Sequence, residues 1–181
     1  MKNHFKLLAL AGLLASCISI ELKGITTDYQ YLDQEQKARV KKLSTFEAAA
    51  PGYVYEITGE ELRQELKTKD SSVFGFIVNY CSGGGCLPMS TYQSYAEESG
   101  KAMYLMMHTY SNFDYTMDQE PAFPLFAVNA YHYQEVKKRK FRKLFLQDLL
   151  KDQYHDSLYH YDTFLFNNDS LVKVQNYIIE D

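Results

Sequence analysis

The apolar stretch at the N-terminus is too short to cross a membrane. A spanning helix needs about 20 apolar residues, whereas this stretch is shorter even when counted on to Ile20, and Glu21 and Lys23 follow. Positive charge is also in deficit: 19 lysines and arginines face 23 acidic residues, leaving a formal charge of -4. That balance gives the chain no general attraction to nucleic acid. Cysteine is scarce, with three in 181 residues, so no dense disulfide framework holds the chain together. Internal repeats and low-complexity blocks are absent, and the chain does not read as a repeat array.

What the N-terminus does contain is a secretory layout. Lys2 and Lys6 form a positive region, Leu7 to Ala15 form a short apolar core, and small residues close it. Leu14-Ala15-Ser16-Cys17 resembles the bacterial lipobox, which implies cleavage after residue 16 and lipidation of Cys17. The chain is therefore expected to divide into a signal peptide (1–16), a lipidated tether with an accessory helix (17–52) and a globular domain (53–181). Its expected location is the cell envelope, held by lipid on the periplasmic or extracellular side of a bacterial membrane. Removing 16 of 181 residues leaves 165, and losing two lysines and no acids moves the formal charge from -4 to -6. A domain of this length can bury a core without disulfide staples. Once Cys17 is lipidated, Cys81 and Cys86 remain, in a compartment where a nearby pair can oxidise.

Along the chain, Ile18 to Asp33 is polar and irregular, as expected of a tether. Asp33 can cap a helix to about Leu43, although its apolar positions are sparse. Tyr53 to Ile57 predicts a strand, and Thr58-Gly59-Glu60-Glu61 is a capping box that opens a helix with Leu62 and Leu66 on one face. Ser72 to Tyr80 is a nearly continuous apolar run, suited to a strand covered on both faces. After it come Cys81, three glycines and Cys86, then a helix from Pro88 to Gly100 and a strand from Ala102 to Thr109. Leu125 to Ala130 predicts another strand. Val136 to Lys151 predicts a helix whose apolar stripe is Phe141, Leu144, Phe145 and Leu149. The basic run Lys137 to Lys143 is expected to face solvent, with attraction to phospholipid head groups as the alternative. Thr163 to Phe166 and Leu171 to Val174 flank Asn167-Asn168-Asp169-Ser170, a hairpin by composition.

This order is that of an α/β domain with a mixed sheet. With Phe76-Ile77-Val78-Asn79-Tyr80-Cys81 ending the long strand, and Thr163-Phe164-Leu165-Phe166 opening the hairpin, residues 53–178 resemble the thioredoxin fold. The resemblance implies a thioredoxin-like mixed sheet flanked by helices, with an insertion before the C-terminal hairpin. It also implies a thiol–disulfide oxidoreductase in which Cys81 attacks and Cys86 resolves, acting on protein thiols or disulfides without a cofactor. A helix N-terminus after Cys81 would favour its thiolate.

Several features depart from the family. Four residues separate the cysteines where two are usual, and a disulfide needs their Cα atoms within about 4.4–6.8 Å; the three glycines permit the bend. Asp162 stands before Thr163 where the family places a cis-proline, and using Pro124 instead would need another alignment. No closing helix follows the hairpin. A structural disulfide, or an inert pair in a non-catalytic thioredoxin-like binding lipoprotein, therefore stays open. So does a likeness to Sco-type copper chaperones, with His160 before the late strand as a third ligand. No other metal site is expected, and His108, His132 and His155 show no ligand spacing. No Lys-Ser/Thr follows the triple glycine, which argues against a phosphate loop.

Lipidation is tested directly. Cys17→Ser is expected to leave unprocessed precursor lacking the lipid mass, read by mass spectrometry. Normal processing and membrane retention of that variant would refute the lipobox reading.

Overall fold

The computed structural model describes residues 23–77 and 87–178; Cys17, Cys81 and Cys86 lie outside them. Its described elements are α1 (Gln34–Ala38), β1 (Val40–Lys42), β2 (Val54–Ile57), α2 (Gly59–Leu66), β3 (Ser72–Ile77), α3 (Met89–Ser99), β4 (Ala102–Met107), α4 (Phe113–Met117), β5 (Leu125–Val128), α5 (Lys138–Leu150), β6 (Thr163–Asn167) and β7 (Ser170–Gln175). Short 3-10 turns precede α1, follow α5, and span Asp156–His160.

The strands form one seven-stranded sheet in the order β1-β2-β5-β4-β3-β6-β7. From β1 to β3 every neighbouring pair is parallel, whereas β6 runs antiparallel to β3 and β7 antiparallel to β6. The chain is thus α/β with a mixed sheet between helices. All six β3 residues are buried, because side chains pointing either way meet a covered face. On one face, Phe74, Phe76, Met106, Phe126, Phe164 and their neighbours pack against Leu62 and Leu66 of α2 and Phe141, Phe145 and Leu149 of α5. On the other, Ile77, Leu105, Met107, Leu125 and Ala127 meet Leu32, Met89 of α3, and Phe113 and Met117 of α4.

Local chemistry sets the helix ends. The expected capping box forms at α2: Glu61 N–H donates to Thr58 Oγ1 at 3.2 Å, and Thr58 N–H donates to Glu61 Oε2 at 2.7 Å. Gly100 closes α3 in the left-handed region at φ 64°, where glycine carries no Cβ penalty. The helix begun by Asp33 is shorter than expected. With no apolar face to bury, α1 ends at Ala38, and Val40–Lys42 instead pairs in parallel with β2 as an edge strand.

The reading of Ile18 to Asp33 as irregular tether also needs correction over its described part. Thr26 bridges Lys137, Thr27 N–H donates to the Val136 carbonyl at 3.0 Å, and Tyr110 N–H donates to the Thr27 carbonyl at 2.8 Å. Asp28 is buried there and accepts from Thr26 Oγ1 at 2.8 Å. With Leu32 in the core and β1 in the sheet, the folded unit includes residues before 53. Among the described residues, no helix is long and apolar enough to cross a membrane.

At Gly59 the backbones of α2 and α5 come close together. A Cβ on Gly59 would lie 2.7 Å from the Leu149 amide nitrogen and 2.8 Å from Asp148 Cβ, and would also strike the Phe145 carbonyl oxygen. Two helix backbones cannot yield as a flexible side chain can. Gly59→Ala is therefore expected to lower stability by about 3 kcal/mol in urea unfolding. A loss under about 0.5 kcal/mol would mean that the helices separate freely.

Candidate functional site

Because five strands run parallel, their carboxyl ends lie along one edge of the sheet, the edge where ligands bind in open α/β folds. The antiparallel β6 starts at the same edge. Three polar side chains meet there from different elements: His108 just after β4, Arg142 on α5 and Asp162 just before β6.

Arg142 organises the group. Its Nη1 donates to Asp162 Oδ1 at 2.9 Å and lies 3.1 Å from His108 Nε2, while its Nη2 donates to the Tyr161 carbonyl at 2.6 Å. The guanidinium carbon sits 4.3 Å from the centroid of the Phe76 ring and 5.0 Å from that of Tyr159. Planar, delocalised charge tolerates such aromatic contact better than a lysine ammonium would. The His108 ring packs edge-on against Phe76, 5.1 Å between centroids, and Phe76 N–H donates to the Asp162 carbonyl at 2.8 Å. Asp162 is thereby fixed by its backbone to β3 and by its side chain to α5.

Burial and charge set the protonation states. Burial pushes His108 below the ordinary histidine range, and the Arg142 charge adds to that, outweighing the opposite pull of Asp162. His108 Nε2 lies between Arg142 Nη1 at 3.1 Å and Asp162 Oδ1 at 3.4 Å, while its Nδ1 has no hydrogen-bond partner among the described residues. For Asp162 burial raises the pKa, but His108 and Arg142 together hold it below the usual carboxylate range. On α3, burial with the Asp162 charge as a second cause lifts the Tyr92 phenol to about 12. The result is an ionised carboxylate bound to a permanent cation, beside a neutral imidazole that can take up or release a proton.

Other expected site residues are less assembled. His160 is exposed on its 3-10 turn, edge-on to Tyr159 at 5.6 Å between centroids. Among the described residues no group of three histidine, cysteine, aspartate or glutamate side chains could hold a metal ion. The expectation that the basic run faces solvent fails at Arg142, which is buried, although Lys140 and Lys143 do turn outward to Glu135 and Asp156. The buried stripe differs from the expected one in that Leu144 is exposed, whereas Leu146 and Leu150 are buried. These lie four and eight residues after Arg142, a helical spacing that puts Arg142 on the inward face. His108 had a weaker signal, as a polar residue continuing the apolar run of β4.

Comparison with family models, curated proteins and solved structures finds no match to this chain.

The cluster predicts how stability depends on pH. A histidine whose folded pKa lies below its unfolded value of about 6.5 binds more protons when unfolded, so its contribution is full above that pH and is lost as pH falls through the folded value. Urea unfolding is expected to show stability declining below about pH 6.5, with the decline between pH 6.5 and 5 reduced in His108→Gln. An identical profile in parent and variant would exclude a buried neutral His108.

Proposed function

We propose that the chain is a thioredoxin-like thiol–disulfide oxidoreductase anchored by lipid in the cell envelope, with Cys81 as nucleophile and Cys86 as the resolving thiol. The observation that carries this reading is topological. Strand β3 leads to α3 and the parallel β4, while the hairpin β6–β7 runs antiparallel on the other side, giving the local order β4-β3-β6-β7. In a thioredoxin-like arrangement the reactive pair belongs between the first of these strands and its helix. Both cysteines fall there in sequence, between Ile77 and Met89. The segment after β4, containing α4, β5 and α5, corresponds to the insertion before the hairpin.

The chemistry next to that connection supports the same reading. Thiol–disulfide exchange requires a thiolate to attack one sulfur while the departing sulfur takes a proton. The His108–Arg142–Asp162 group meets the carboxyl end of β3 through Phe76, and the Asp162 charge reaches Tyr92 on the following helix. A cation and a titratable imidazole at that edge are suited to a site where thiolate charge forms and protons move. Protein thiols or disulfides are the expected substrates, and the lipid on Cys17 would keep the domain beside the membrane. The copper-chaperone alternative rests on His160, and its exposed position gives it no support beyond its place in the sequence.

Reactivity tests the proposal. Cys81 is expected to be alkylated faster than Cys86 at neutral pH, with a thiol pKa below about 8.5. Reduction of a substrate disulfide should be abolished in Cys81→Ser, while Cys86→Ser should accumulate the mixed disulfide. Unchanged activity in Cys81→Ser would end this reading. Tight Cu(I) binding lost in His160→Ala would replace it with the chaperone.

A further inference from the structure

A second feature lies at the same edge of the sheet but over its other face, and it does not depend on the cysteines. Glu56 is next to last in β2, in register with Ala127 of β5. Beyond β5 the chain folds back through residues 129–136, and the segment around Thr27 crosses to it, pinned by the Thr27–Val136 and Tyr110–Thr27 hydrogen bonds. These pieces line an open cavity of about 580 Å³. Its lining includes Tyr29, Glu56, Tyr110, Tyr131, Glu135 and Val136. The volume is that of a small-molecule site, and its place at the carboxyl ends of adjacent parallel strands is where such sites form.

Charge selects the ligand. Two carboxylates line the cavity and no lysine or arginine does. Glu135 is already neutralised by Lys140, 3.1 Å away. Glu56 is in no such close pair among the described residues: the Tyr110 hydroxyl donates to its Oε1 at 3.1 Å, burial pushes its carboxyl above the usual range, and Tyr110 and the charge of Lys42, its register neighbour on β1, pull it back only in part. A half-buried carboxylate held in no close ion pair is poorly solvated and gains most from a ligand that brings positive charge. The tyrosines suit the same ligand, because aromatic faces attract organic cations and shield them from water. Tyr29 already does so, with Lys37 Nζ 5.7 Å from its ring centroid, and it packs edge-on against Tyr110 at 5.5 Å. Tyr131 is 94% exposed at the rim, a large ring almost wholly free of packing.

We propose that this cavity is a binding site for an organic ammonium ion, a protonated amine carried on an apolar body, with Glu56 as its counter-ion and the tyrosines as its walls. The Tyr110 hydroxyl holds the carboxylate in place. Anions are disfavoured by the Glu56 carboxylate, and a neutral molecule of the same shape would bring it no paired charge.

The test uses the full chain, with 2-phenylethylammonium as the probe and 2-phenylethanol and 3-phenylpropionate as neutral and anionic controls at matched ionic strength. In nitrogen-15 amide spectra the ammonium should give saturable shifts concentrated at Tyr29, Glu56, Tyr131 and Val136, with affinity at least tenfold above either control. Glu56→Gln should weaken it at least tenfold. Tyr131→Ala, whose exposed ring has almost no fold contacts to lose, should weaken it several-fold in a chain that still folds. The proposal is overturned if no saturable shift appears, if the alcohol binds as well as the ammonium, or if folded Glu56→Gln and Tyr131→Ala both retain the parent affinity.

Discussion

Arg142 brings a permanent positive charge into a layer otherwise built from phenylalanine and leucine, and the sheet edge is organised around it. A guanidinium cannot lose its proton to escape burial, so its surroundings must satisfy it. They do so at Nη1 and Nη2 with a carboxylate, a backbone carbonyl, an imidazole and two aromatic faces, drawn from β3, the segment after β4, and the stretch leading into β6, while Nε has no hydrogen-bond partner among the described residues. Each partner thereby acquires a fixed place. Removing one member of a half-buried ionic group costs more than forming it gained, which makes the group a strong constraint on how α5 meets the sheet.

The parallel strands explain why chemistry collects on one edge. Their carboxyl ends align, and the chain must turn back over them in loops that carry polar residues. Alternation along the strands then divides those residues between faces. Phe76, with His108 two positions beyond Met106, serves the face covered by α2 and α5, whereas Val54 and Glu56 serve the face covered by α3, α4 and the segment before α1. The ionic cluster and the Glu56 cavity are thus separate sites on opposite faces of one sheet, and one can be altered without dismantling the other.

Much of the fold was legible in the sequence because its signals were local. The capping box at Thr58 and Glu61, the uninterrupted apolar run of β3, Gly100 after α3, and the Asn-Asn-Asp turn between β6 and β7 each depend on a few adjacent residues. The errors involve partners distant in sequence. A strand at 40–42 exists because β2 is beside it, and residues 24–32 are ordered by Val136 and Tyr110. The site was harder still. Arg142 sits in a basic run and reads as a surface residue until Asp162, 20 positions away, gives it a reason to be inside. Asp162 itself was conspicuous only as a residue standing where the resembled family has proline. Cys81 and Cys86 are legible by their place after the long apolar strand and before a helix, and they fall outside the described residues.

The central claim is that the cysteine pair works as an exchangeable disulfide at the edge held by Arg142. Its reduction potential, measured by equilibration with glutathione buffers and counted as the oxidised fraction of Cys81 and Cys86, tests that claim most directly. A potential above about -300 mV, with the pair exchanging readily with glutathione, is the predicted result. A bridge that stays oxidised throughout the glutathione range would be a structural staple and would contradict the account.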